Sequence, residues 1–301
     1  MKRPVIIDCD PGADDFLAIL LALASPELNV LGITTVFGNA AVEQTAWNAT
    51  RACLAAGKTD VLVYAGASAP LMSKIRPDFS YCGEDGLCDS TLSGDGSLIS
   101  SRCANEFLAE TLEISQEPVT IISTAAMTNL AVLLRQRPEL AYKIKEIVTI
   151  SGYYGQNPAA ARAEWNVLLD PEAAKAVFSA PISIRAVGLD VTADLRDSYV
   201  NRLLSVASDK VAVFMQQTTD FNVRHRLYPC SILVDGMAVA AALRSEIAHY
   251  QAGCAWVCPE RTDCGLMQFA SMGSGGATVY AADHFDFETY IRLLEERVIA
   301  K

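Results

Sequence analysis

Short runs of β-branched and aliphatic residues alternate along this chain with longer stretches of helical composition. Val5-Ile6-Ile7 predicts a first strand, and Ala13 to Ala24 a helix that stops before Ser25-Pro26. Asn29 to Thr35 reads as a second strand, Val42 to Ala56 as a helix closed by Gly57, and Val61 to Tyr64 as a third strand. Residues 66–101 break the rhythm. They are rich in Gly, Ser, Asp and Pro, and a structureless excursion of that length in a compact domain points to a functional loop. The alternation then resumes: helix Cys103 to Ile114, strand Val119 to Ile122, helix Met127 to Arg135, strand Ile144 to Ile150, helix Pro171 to Phe178 and strand Ile182 to Ile184. From Val191 to about His249 the chain reads as largely helical, and a short β segment and a helix from Asp286 to Ile299 close it. The expected fold is α/β: an open, mostly parallel sheet flanked by helices, doubly wound and Rossmann-like, in a single domain over residues 1–301.

Composition narrows the function. The 301 residues are 51% hydrophobic and 20% charged, which excludes a disordered chain, a coiled coil or a collagen-like fibre. A net charge of −11 argues against nucleic acid or an anionic membrane as partner, since both need a positive surface. No apolar run reaches the roughly 18 to 20 residues that span a bilayer, and Asp8 cuts short the only apolar stretch behind the basic start. Nine scattered cysteines without a secretory signal read as reduced thiols, so a cytoplasmic location is expected. Cys254, Cys258 and Cys264 lack a nearby fourth ligand for zinc, because His249 falls on what reads as a helix; they too are expected to be plain thiols.

In open parallel sheets, ligands bind beyond the carboxyl ends of the strands. Strand one runs straight into Asp8-Cys9-Asp10-Pro11-Gly12-Ala13-Asp14-Asp15, which carries four carboxylates in eight positions. Helix capping explains one or two of them but not all four. No Lys or Arg lies between Arg3 and Arg51 to offset the repulsion. A hard divalent cation with oxygen ligands, Ca²⁺ or Mg²⁺, is the economical answer. Two chemistries fit. One is a Mg²⁺ phosphohydrolase of the haloacid dehalogenase type, with Asp8 and Asp10 at the right spacing. The other is a hydrolase in which a carboxylate takes a proton from a metal-activated water.

The eight-residue motif resembles the D-x-D-P-G-x-D-D signature of the inosine–uridine preferring nucleoside hydrolases. Further segments are similar to that family in the same order. They are Thr34-Thr35-Val36-Phe37-Gly38-Asn39, Thr124 to Ala131, Ala163-Glu164-Trp165-Asn166-Val167 with Asp170 to Ala174, and Gly188-Leu189-Asp190-Val191-Thr192. The resemblance implies Ca²⁺-dependent hydrolysis of the N-glycosidic bond of ribonucleosides to free base and ribose. It implies Asp10, Asp15, the carbonyl of Thr124 and Asp235 as metal ligands, with Asp10 also the general base. Asp14, Asn39, Asn157, Glu164, Asn166 and Asp235 would hold the ribose. A homodimer or homotetramer is the expected assembly. Plainer readings exist for single residues: Asn39 as a turn residue after Gly38, Glu164 as a solvated charge, Trp165 as a wall.

The chain departs from the family at two places. Many relatives have His before the last aspartate, where this sequence has Val234, and another His in the long loop, where it has Cys82. Both residues are therefore assigned to the base pocket. Only His225, His249 and His284 remain, and His225 and Tyr228 are the candidates for the acid that protonates the leaving base. Turnover of a modified ribonucleoside, or nucleoside binding without turnover, are the readings that these losses leave open.

Overall fold

The computed structural model describes residues 2–72, 81–155, 163–258, 265–271 and 278–299. Apolar strands come first. β1 (Arg3–Cys9) pairs in parallel with β2 (Leu28–Thr35) on one side and β4 (Val119–Ser123) on the other. β3 (Val63–Ala65), β5 (Ile144–Ile150) and β6 (Ile184–Val187) extend the parallel array, and β9 (Val279–Phe285) joins β6. With β7 (Ala248–Cys258) and β8 (Leu266–Ser271), the nine strands of the described residues run in the order β3-β2-β1-β4-β5-β6-β9-β7-β8. The order reverses at β1, so the crevice between the carboxyl ends of β1 and β4 is the topological switch point.

Side chains alternate between two buried layers. Ile7 and Cys9 face one, filled by α1 (Ala13–Ala24), α2 (Val42–Ala55), α10 (Gly236–Leu243) and α11 (Phe287–Leu294). Ile6, Ile121, Ile147 and Ile184 face the other, against α3 (Ala104–Ile114), α4 (Thr128–Gln136) and α6 (Pro171–Phe178). Residues 16–23 of α1 are all buried, as expected of a helix that is apolar all round. Between β6 and α10 lie α7 (Leu189–Thr192), α8 (Asp197–Val206) and α9 (Asp209–Arg224), and α5 (Trp165–Leu169) precedes α6. No helix among the described residues is long and apolar enough to cross a membrane.

The far edge differs from the sequence reading. The expected short β segment is three strands. β7 (Ala248–Cys258) is antiparallel to both β8 (Leu266–Ser271) and β9. His249 therefore sits on a strand, not a helix, with Nδ1 2.6 Å from Asp283 Oδ1. The strand expected at 182–184 is shifted to Ile184–Val187. Arg185 is held there by Glu146 on β5 at 2.7 Å. Cys254 and Cys258 are free thiols on β7, and Cys264 lies outside the described residues. Within 66–101, a short 3₁₀ turn forms at Gly96–Leu98, and Ile99 bridges to Val63.

Candidate active site

β1 delivers Asp8 and Asp10 to the switch point, and Pro11-Gly12 turns the chain into α1. Asp14 and Asp15 thus sit in its first turn, where the helix dipole favours negative charge. Asp15 is fully buried. Its Oδ2 accepts the Gly12 N–H at 3.2 Å and its Oδ1 accepts the Thr124 hydroxyl at 2.6 Å. Asp235, which precedes α10, comes from the far end of the chain and hydrogen-bonds the side chains of Asp14 and Asp15. One carboxyl oxygen from each of Asp14, Asp15 and Asp235 lies within 4.8 Å of the others.

Asp10 stands beside this cluster. Its Oδ2 accepts the Asn39 N–H at 2.8 Å, and its carbonyl accepts the Asn39 amide at 3.0 Å. Gly38 lets the two segments approach: a Cβ there would lie 1.8 Å from Asp10 Oδ2. Cys82 Sγ donates to Asn39 Oδ1 at 3.2 Å, which ties the long loop to the same corner.

Burial pushes every one of these carboxyls up. Asp15 reaches about 8 through desolvation and the neighbouring charge of Asp14. Asp10 is raised well above its ordinary value by burial and then by Asp15, and Asp235 by burial and then by Asp14, Asp15 and Asp10. No Lys or Arg side chain bonds any of the four among the described residues. Carboxyls that bond one another must share a proton, and that is the position a cation would take. The donor set is all oxygen and anionic, which suits a hard divalent ion.

Glu164 caps α5: its carboxylate accepts the N–H groups of Asn166 at 2.9 Å, Val167 at 3.2 Å and Gly152 at 3.3 Å. Burial still lifts it to about 7. Asn166 gives its amide to the carbonyls of Thr124 at 3.0 Å and Ile150 at 3.1 Å, which leaves its Oδ1 as an acceptor. Thr124 therefore keeps one carbonyl lone pair. Val234 is partly buried against the core. His225 and Tyr228 lie on the exposed segment leading to Asp235. The His225 ring stacks on Phe221 with centroids 4.1 Å apart, and Tyr228 is 77% exposed. No bond joins either to the carboxylate cluster among the described residues. Asn157 lies outside those residues.

Several bonding roles escaped the sequence reading. Asn129 donates to Asp8 Oδ1 at 2.8 Å and to the Thr35 carbonyl at 3.0 Å, and accepts the Ala67 N–H at 2.9 Å, so it anchors the root of the long loop. Asp170 accepts the Thr128 hydroxyl and the Leu71 N–H. Asp85 accepts the Leu87 and Asp89 N–H groups and pairs with Arg51. Its flanking glycines, Gly83 at φ +79° and Gly86 at φ +69°, were the available signal for a built turn. Asp8 is wholly buried; its Oδ1 accepts from Thr34 and Asn129, and its Oδ2 has no partner among the described residues.

Comparison with known proteins agrees with this architecture. The model of the inosine-uridine preferring nucleoside hydrolase family matches residues 5–292. Pyrimidine-specific ribonucleoside hydrolase RihA of Escherichia coli is 44% identical over 192 residues, 64% of this chain and 62% of that protein. The chain thus spans less than two thirds of the length of these curated relatives. A plant nucleoside hydrolase structure, PpNRh1, covers 100% of both chains with a TM-score of 0.86 and 28% identity. A purine-preferring ribonucleoside hydrolase from Gardnerella vaginalis covers 98% of each with a TM-score of 0.86 and 25% identity.

Proposed function

The chain belongs to the inosine–uridine preferring nucleoside hydrolase family, and on that premise we propose that it hydrolyses the N-glycosidic bond of ribonucleosides to free base and ribose with Ca²⁺ in the carboxylate cluster. The observation that carries this is the convergence of half-buried Asp14 with buried Asp15 and Asp235, without a basic partner among the described residues. Bound there by Asp10, Asp15, Asp235 and the Thr124 carbonyl, the ion would screen the carboxylates, anchor ribose hydroxyls and acidify a water.

Asp10 is the general base. Asn39 holds its Oδ2, and its other oxygen takes the proton of the attacking water. That water bonds to C1′ of the ribose as the C1′–N bond breaks, and the electron pair leaves on the base. The transition state is oxocarbenium-like, and the surrounding carboxylates stabilise its positive charge. Asp14, Asn39, Asn157, Glu164, Asn166 and Asp235 hold the ribose hydroxyls, with Asn166 Oδ1 free to accept one. Cys82 and Val234 border the base. His225 or Tyr228 supplies the proton to the leaving base when the segment before Asp235 folds inward. Pyrimidine ribonucleosides are the proposed substrates, following the specificity named for the 44%-identical relatives. A cytoplasmic homodimer or homotetramer is part of the same proposal.

The test is base and reducing-sugar release from uridine, cytidine, inosine and adenosine, with and without a chelator. Asp10→Asn, which keeps an oxygen toward the ion but cannot take the proton, should abolish turnover while calcium-dependent nucleoside binding persists. Phosphate release from a phosphate ester, or binding with no free base from any nucleoside, would refute the reading.

A further inference from the structure

One cavity lies outside the site described above. It measures about 980 Å³ and runs between α1, α2, α9 and the π-helical turn Glu295–Ile299 near the C-terminus. None of Asp10, Asp14, Asp15 or Asp235 lines it. Its apolar floor includes Leu20, Leu54, Val211 and Phe214, and its volume suits a small molecule. The charge is the unusual feature. Among the described residues, Arg51, Lys58, Lys210 and Arg297 line it and no Asp or Glu does, in a chain with 35 acidic and 24 basic residues. Arg51 is answered by Asp85 and Arg297 by Glu27. Lys58 and Lys210 have no ion pair among the described residues and set two uncompensated positive charges beside an apolar trough.

We propose that this groove is a second binding site, for an amphipathic anion: an apolar body that lies on the Leu20, Leu54 and Phe214 floor and carries a carboxylate or phosphate between Lys58 and Lys210. A second copy of the chain is the less favoured occupant. A two-fold contact through the groove would set these cations against themselves, and like charges in a contact are repulsive. The groove also touches the machinery of the main site. Thr91, Leu92 and Ser93 of the long loop form one wall, and Thr91 pairs with Gln217 of α9 at 3.2 Å. Phe214 packs on Phe16, the residue after Asp15, with centroids 4.2 Å apart. An occupant braces the loop against α9 and so lowers KM for the nucleoside. This coupling rests on the hydrolase reading; the binding itself does not.

The experiment uses the full calcium-loaded chain and anilinonaphthalenesulfonate as fluorescent probe. Binding should saturate at one site, and decanoate should displace the probe while decanol and decyltrimethylammonium do not. Lys58→Glu with Lys210→Glu should weaken decanoate about tenfold with an unchanged melting temperature, as expected for two partly screened ion pairs. Inorganic phosphate, titrated alone, separates a site for the charge from one for the amphipath: displacement at concentrations similar to decanoate overturns the apolar requirement. Equal displacement by decanol, or unchanged decanoate affinity in a folded double variant, overturns the site. Dissociation of a dimer by the double variant identifies a second copy as occupant and also overturns it. Finally, a KM for uridine that decanoate leaves unchanged overturns the coupling alone.

Discussion

Replacing Gly38 by alanine tests the proposed base more sharply than removing the base itself. The new Cβ would stand 1.8 Å from Asp10 Oδ2 and 2.6 Å from its Cγ. Atoms do not approach within 3.0 Å there, so the carboxylate must retreat by about 1.2 Å (3.0 − 1.8), or the Asn39 turn must. Either movement breaks the 2.8 Å bond from the Asn39 N–H. Overpacking of this kind costs about 1–3 kcal/mol, which a chain this large survives folded. Misplacing a reacting group by about 1 Å costs about a hundredfold in rate. The expected result is a kcat down about a hundredfold with KM changed far less, a cooperative melt retained and calcium still bound. The assay is steady-state release of free base, set beside thermal melting. A double-mutant cycle completes it: in an Asp10→Ala background, Gly38→Ala should have little further effect, because the group it displaces is gone. A folded Gly38→Ala variant within threefold of the native kcat would refute the assignment of Asp10.

Acidity supplies a second prediction. Asp15 holds its proton up to about pH 8 in the folded chain, against an ordinary value of 3.8. Between those values the folded state binds more protons than the unfolded, so the chelated protein loses stability as pH rises from 5 to 8. Excess calcium, or Asp15→Asn, should flatten that fall in melting temperature; a chelated native protein that loses no more than Asp15→Asn contradicts it. Substrates lacking the 2′-hydroxyl should turn over far more slowly than ribonucleosides, because site groups such as Asn166 Oδ1 would be left unpaired; comparable kcat/KM for uridine and 2′-deoxyuridine would contradict this. Asn129→Ala removes three hydrogen bonds and leaves Asp8 more exposed to its own buried charge. A loss of about 2–4 kcal/mol in denaturant unfolding is expected, and less than about 1 kcal/mol would mean that the loop root is anchored elsewhere.

The parallel α/β character and the acidic mouth of β1 were legible along the chain because both are local. Aliphatic runs of strand length separated by capped helical stretches show themselves within a few residues, and Asp8 to Asp15 stand together whatever the rest does. The resemblance of further segments added Asp235 and Asn166, which no local rule could have joined to Asp10. What the tertiary structure alone decided is who meets whom. β1 beside β4 puts Thr124 on Asp15, and α10 brings Asp235 to the same point. Glu164 caps a helix, and Asn129, which comes after the long loop in the chain, ties down the root of that loop. The antiparallel pair β7 and β8 went unseen because their pairing rests on partners such as Ala270 and Phe269, not on an apolar rhythm of their own. Local propensity is set by neighbours within a turn or two, whereas sheet order, register and the burial of charge depend on which distant faces exclude water together.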